Sequence, residues 1–293
     1  MYCKGLYTNL ITPFSENNLD VVSIARLVQL QLQHEINGLV VFSNLGEELS
    51  LSESEYEQLI QTVIATVDGK IPVIAGVGVS STADSINKAI TSEKLRASGI
   101  IISPPRCHNL TSEAIFDHYS AINAAINIPI MICDSSNKDE QISEILLEQL
   151  LSLHNVIGLK NTKGDLEWAL WLSTKFFKGE KSQFLGKDSL SVAFSLYGGA
   201  NIISSAANVI PDLCVKLYKL ISSGQYNEAM KLQTLLLPFH LHMDEGRGPA
   251  LIKYVAYLFD LIDSYETRAP LPAISKEDQR AVLETVNQLQ DLI

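Results

Sequence analysis

Short apolar runs alternate with longer amphipathic stretches along most of the chain. The runs at residues 5–11, 38–42, 72–76, 100–103, 129–133, 156–160, 183–186 and 201–204 read as eight strands. They are nearly continuous in apolar character, as expected of parallel strands buried on both faces. Helical spacing predicts helices at 21–34, 53–67, 82–97, 112–127, 143–152, 166–176 and 189–197. Several of these open on a Ser or Thr of the kind that caps a helix N-terminus.

Strictly alternating strands and helices predict a parallel sheet covered by helices. Eight units of similar length with no break in composition predict closure into a (β/α)8 TIM barrel, with a doubly wound open sheet as the rival. An open-sheet nucleotide binder lacks its signature, because no GxGxxG or GxxxxGK[ST] follows a strand. Beyond the eighth strand, helical patterns at 211–222, 226–237, 249–261 and 276–292 exceed the one helix that closure needs. A small C-terminal helical appendage is expected, with the barrel at 1–224 and the added helices at 225–293.

Composition narrows the function classes. The chain has 293 residues, of which 46% are hydrophobic and 19% charged, enough to build a large core. A formal net charge of −11 argues against nucleic acid or an anionic membrane as partner, since both need clustered Lys and Arg. The four cysteines, Cys3, Cys107, Cys133 and Cys214, are far apart and form no CxxC pair. Neither a disulfide framework nor a metal site is expected, and a reducing cytoplasm fits. The N-terminus lacks a signal-peptide pattern, and no run reaches the ~18 apolar residues of a membrane span.

Three segments carry candidate chemistry. Lys160 ends the strand Val156-Ile157-Gly158-Leu159, and the C-terminal ends of barrel strands form the active-site face. Burial disfavours an ammonium group, and a neutral amine can attack a carbonyl carbon. The residues alone leave open a lysine that snorkels to solvent. Ser43-Asn44-Leu45-Gly46-Glu47-Glu48 follows the second strand. Successive backbone N–H groups there could hold a carboxylate, or the segment could be an ordinary turn with acidic residues favoured by the helix dipole. Gly198-Gly199-Ala200 before the eighth strand allows close backbone approach, or simply caps the preceding helix.

Taken in order, these residues resemble the dihydrodipicolinate synthase and N-acetylneuraminate lyase family. Thr12-Pro13-Phe14, Gly46-Glu47, Pro72 through Gly78, Ile157 through Lys160, Gly198-Gly199-Ala200, Ser204, Asn208 and Arg268-Ala269-Pro270-Leu271-Pro272 carry the likeness. It implies a class I aldolase mechanism with no cofactor beyond a covalent imine between Lys160 and a 2-oxo acid such as pyruvate. It further implies that backbone around Leu45 and Gly46 holds the pyruvate carboxylate, that Ile203 lines the same pocket, and that the protein is a homo-oligomer.

The chain departs from the family's proton relay. Cys133 stands where a tyrosine is usual at the fifth strand, Cys107 where a second tyrosine is found, and Asn44 where a hydroxyl residue completes the relay. A thiol titrates near ~8.5 against ~10 for tyrosine and can carry a proton, but its side chain is much shorter. Lys138 falls near an arginine that grips the second substrate's carboxylate, keeping the charge without the planar fork. The expectation is therefore a pyruvate-dependent lyase or synthase with an altered relay. The alternatives are a sugar-acid lyase and a non-catalytic binding or scaffold protein on the same barrel.

Overall fold

The computed structural model describes residues 4–78, 81–105, 110–134, 142–177, 181–197, 199–244 and 248–290. Eight parallel strands close into a barrel: β1 (Leu6–Asn9), β4 (Gly38–Val41), β5 (Val73–Gly76), β6 (Gly99–Ile102), β7 (Ile130–Cys133), β8 (Val156–Asn161), β9 (Ser182–Leu185) and β10 (Asn201–Ser204). The order around the barrel is β1-β10-β9-β8-β7-β6-β5-β4, with β1 returning to β4. The (β/α)8 class expected from the alternating pattern is the observed one. Strand positions agree to within one or two residues at most ends.

Two short strands escaped the sequence reading. Phe14–Ser15 (β2) and Asn18–Leu19 (β3) pair antiparallel across Glu16 and Asn17, both at positive φ. Strands this short leave no period to detect.

The helices around the barrel are α1 (Val21–Gln33), α2 (Glu53–Val67), α3 (Thr82–Lys94), α4 (Ser112–Ala125), α5 (Glu144–Ser152), α6 (Leu166–Lys175), α7 (Ser191–Ser195) and α8 (Pro211–Ser222). Side chains of Asp20, Ser52, Ser81, Thr111, Ser143 and Asp165 accept a backbone N–H in the first turns of α1 to α6. Each such cap contributes roughly 1 kcal/mol. Helix α7 is shorter than expected, because residues Asp188–Leu190 form a separate 3-10 turn before it.

Helices α9 (Tyr226–Asp244), α10 (Gly248–Leu258) and α11 (Lys276–Gln290) follow the barrel. Helix α9 runs seven residues past the expected end at 237 and carries Pro238 in its interior. A proline there removes one backbone hydrogen bond. Leu236 before it and Phe239 and His240 after it are all buried, so packing on both sides carries the helix through.

Side chains of Tyr7, Val40, Ile74, Ile101, Met131, Phe184 and Ile203 fill the barrel interior, with Tyr7 and Phe184 edge to face at 5.3 Å between ring centroids. Gly38 makes room for this layer, since a Cβ there would lie 2.2 Å from the Tyr7 ring. Leu6, Leu39, Val73, Ile100, Ile132 and Leu159 of the strands pack outward with the helices. Among the described residues no helix is long and apolar enough to cross a membrane.

Candidate active site

Strand β8 sets the position of Lys160. Leu159 packs outward among the helices, so strand alternation turns Lys160 inward. Its register partners are Cys133 on β7 and Phe184 on β9, and both belong to the interior layer. Lys160 is 7% exposed. Among the described residues its amine takes part in no ion pair and no hydrogen bond. Gly186, just past β9, gives the lysine stem its space: a Cβ there would lie 2.7 Å from Lys160 Cε.

Cys133 is partly buried beside this amine. Burial pushes its thiol pKa up, the nearby Lys160 charge and a hydrogen bond from Ser103 work against that, and the Glu48 and Asp134 charges add to it. The thiol therefore stays protonated at neutral pH. Ser103 directly follows β6, so three adjacent strands, β6, β7 and β8, bring Ser103, Cys133 and Lys160 together. Asp134 points away, pairing with Lys163 at 3.2 Å, while its N–H donates to the Lys160 carbonyl at 2.9 Å.

The loop after β4 forms the facing side. It turns sharply, with Phe42 and Glu47 both at positive φ. Glu47 N–H donates to Asn44 O at 3.2 Å and Glu48 N–H to Ser43 O at 3.1 Å. The amides of Leu45 and Gly46 donate to no other described group, and both residues are buried. Two successive unused N–H groups can bind a carboxylate without a cationic side chain. The Leu45 side chain faces α10, where a Cβ on Gly248 would lie 3.2 Å from Leu45 Cδ1. Asn44 is exposed in the single chain.

A buried polar cluster holds this loop from behind. Glu47 accepts hydrogen bonds from Lys253 Nζ on α10 and, at 2.9 Å, from the Arg268 backbone N–H. Lys253 also donates to Glu266 O at 2.8 Å. Both cations lie over the Phe14 ring, Lys253 Nζ and Arg268 Cζ each 4.1 Å from its centroid. Burial draws the Lys253 pKa down to about 8, opposed by the Glu47 carboxylate. The sequence reading missed this cluster, although a lysine inside the apolar run Ala250-Leu251-Ile252-Lys253-Tyr254-Val255-Ala256 was a legible signal.

The remaining site residues sort simply. Ile203 lies in the interior layer opposite Tyr7. Cys107 and Lys138 fall outside the described residues. Two of the landmark residues prove to brace the barrel: Asn208 Oδ1 accepts Ile11 N–H at 3.0 Å while its Nδ2 donates to Asn9 O at 2.7 Å, and Ser204 Oγ accepts Ala207 N–H at 3.0 Å.

Residues 2–289 match the family described as Dihydrodipicolinate synthetase family. The chain belongs to that family. Among its relatives is a 4-hydroxy-tetrahydrodipicolinate synthase of Rickettsia bellii, 32% identical over 287 residues, which covers 98% of this chain and 97% of the relative. The solved 4-hydroxy-tetrahydrodipicolinate synthase of Methylacidiphilum fumariolicum SolV superposes with a TM-score of 0.94 at 26% identity, over 99% of this chain and 96% of that one. A dihydrodipicolinate synthase of Acinetobacter baumannii, solved in complex with pyruvate, shares the fold with a TM-score of 0.92 at 22% identity, over 98% of this chain and 99% of that one. The fold and family expected from the ordered landmarks are thus the ones found.

Proposed function

We propose that the protein is a pyruvate-dependent lyase or synthase of the class I aldolase type, with Lys160 as the imine-forming nucleophile. The observation that carries this reading is a buried, inward-facing lysine at the C-terminal tip of a barrel strand, with no carboxylate partner among the described residues. Such an amine has no structural task to explain its burial. Membership of a family with a pyruvate-bound relative supports the choice of 2-oxo acid.

The Lys160 amine attacks the keto carbon, and loss of water gives a protonated imine. That cation draws electrons from the adjacent methyl group, so a methyl proton can leave and an enamine forms. The enamine adds to the carbonyl of a second substrate, and the reverse sequence breaks the same bond. Leu45 and Gly46 amides hold the carboxylate, fixing the keto carbon against Lys160, and Ile203 lines the pocket. Cys133, as a neutral thiol next to the amine, donates a hydrogen bond to the oxygen that departs as water. Asn44, Cys107 and Lys138 are assigned to the second substrate. The altered relay favours a second substrate different from that of the named synthases, a sugar acid being one class.

The test is intact-mass measurement after borohydride treatment with a panel of 2-oxo acids. Pyruvate is expected to add mass at Lys160, and Lys160→Ala to abolish the addition. If no 2-oxo acid is trapped on the unaltered protein, the enzyme reading fails and a binding or scaffold role takes its place.

A further inference from the structure

The backbone of Glu47 is left-handed, at φ 57° and ψ 41°, a conformation that a residue with a Cβ keeps only where its surroundings fix it. Gly46 precedes it directly, so the direction of the Leu45 and Gly46 amides depends on how firmly the turn at Glu47 is kept. The ties on the barrel side are the Glu47 N–H to Asn44 O, the Glu48 N–H to Ser43 O and the Ser43 hydroxyl, which donates to Asn9 Oδ1 at 2.6 Å.

Helix α10 and the segment after it supply the rest. One Glu47 carboxylate oxygen accepts from Lys253 Nζ and the other from the Arg268 backbone N–H at 2.9 Å, so the carboxylate is held at both oxygens. Lys253 is fixed in turn by Glu266 O at 2.8 Å and by the Phe14 ring beneath its amine. The side chains of Lys253 and Glu47 are both fully buried, so water can replace neither partner. Helix α10 also meets the residue on the other side of Gly46, since Gly248 at its start faces Leu45 Cδ1 at the distance given above. One helix added after the barrel therefore contacts the residue before Gly46 and the residue after it.

We infer that Lys253 is a positioning residue for the carboxylate of the 2-oxo acid: through Glu47 it keeps the Leu45 and Gly46 amides aimed at a carboxylate bound beside Lys160. This rests on the imine reading above and on those two amides as the carboxylate's donors. Lys253 itself touches no substrate. Successive amides hold an anion only when both point at it, so a small rotation at Glu47 weakens the grip on the carboxylate while attack on the keto carbon stays possible. An ion pair that served the fold alone would affect every ketone equally.

The experiment compares pyruvate with pyruvamide, the same ketone with a neutral amide in place of the carboxylate, and reads borohydride labelling of Lys160 by peptide mass. At sub-saturating concentrations the unaltered protein is expected to label faster with pyruvate. In Lys253→Met that preference is expected to fall by about tenfold or more, with the pyruvamide rate kept and with full labelling of the folded fraction at saturating pyruvate. An unchanged ratio of the two rates overturns the positioning role, whether both rates hold or both fall together, and Lys253 then serves stability alone. Equal labelling of the unaltered protein by the two ketones overturns it as well, since the amides then recognise no carboxylate. Should Lys253→Met not fold, Glu47→Gln carries the same comparison, because it keeps an acceptor for the Arg268 N–H and discards the charge that Lys253 grips. Its preference for pyruvate is expected to fall by about threefold, and an unchanged preference overturns the inference. Failure of the unaltered protein to label with any 2-oxo acid overturns the imine reading itself, whereas normal labelling with an unchanged ratio overturns only the role of Lys253.

Discussion

Lys160 and Lys253 are both buried lysines, and they sit in opposite circumstances. Lys253 lies in α10 with no exposed side-chain surface, hydrogen-bonded to Glu47 and Glu266 and stacked over Phe14. Lys160 lies at a strand tip facing inward, beside a thiol and a phenylalanine, without an anionic partner among the described residues. Burial alone therefore does not mark a chemically active lysine. Each of these contacts of Lys253 is one that folding uses, whereas among the described residues Lys160 has no hydrogen bond or ion pair that folding uses.

Exchanging each lysine for methionine gives the sharpest test of that contrast. Lys160→Met is expected to lose the pyruvate adduct entirely in the borohydride assay. Its stability, measured by urea denaturation, should stay the same or rise by up to about 2 kcal/mol, because an unpaired buried polar group is removed. Lys253→Met should show the reverse behaviour, forming the adduct at saturating pyruvate but losing about 3–5 kcal/mol of stability as Glu47 is left buried without its cation. Adding Glu47→Gln to Lys253→Met removes that stranded charge and keeps an acceptor for the Arg268 N–H, so part of the loss should return. If both methionine variants lose the same property, the contrast between the two lysines fails.

The pH dependence of stability sharpens the comparison further. In the unfolded chain Lys253 takes its ordinary value of 10.5, and in the folded chain it is drawn down to about 8. Between these values the unfolded state binds more protons, so this residue makes stability rise with pH across that window. Urea midpoints taken from pH 7.5 to 10 should rise more steeply for the unaltered protein than for Lys253→Met. Equal slopes would mean that Glu47 holds the amine charged throughout.

The architecture was legible because each barrel strand had to be apolar on two faces and each helix on one. Those two periods survive whatever the chemistry. The extension of α9 through Pro238 was not legible, since local rules end a helix at a proline and only the packing of Phe239 and His240 overrides them. Lys160 could be singled out because a lysine ending an apolar strand is a local contradiction. Lys253 posed the same contradiction within α10, but its partner Glu47 lies 206 positions away and no sequence spacing joins them.

The smallest effect concerns the outer edge of the same cluster. Arg268 reaches past Glu47 to bond Glu55 with its guanidinium and to donate to Ser50 O at 3.0 Å, joining the C-terminal segment to the start of α2. Glu55 also closes the α2 capping box with Ser52. Its carboxylate pKa is drawn down to about 2, chiefly by the Arg268 hydrogen bond. A depressed carboxylate contributes stability above its unfolded value near 4.5 and loses it as pH falls toward 2. Both side chains keep some contact with solvent, at 11% and 20% exposure, so the contribution is screened and should be about 1 kcal/mol. Glu55→Gln keeps the capping acceptor while discarding the charge. Its denaturation midpoint should drop slightly at pH 7, and the gap to the unaltered protein should narrow as pH falls from 4.5 toward 2. A deficit that persists undiminished at pH 3 would mean that the side chain acts through the cap, and that the ion pair with Arg268 adds nothing to the hold on the loop after β4.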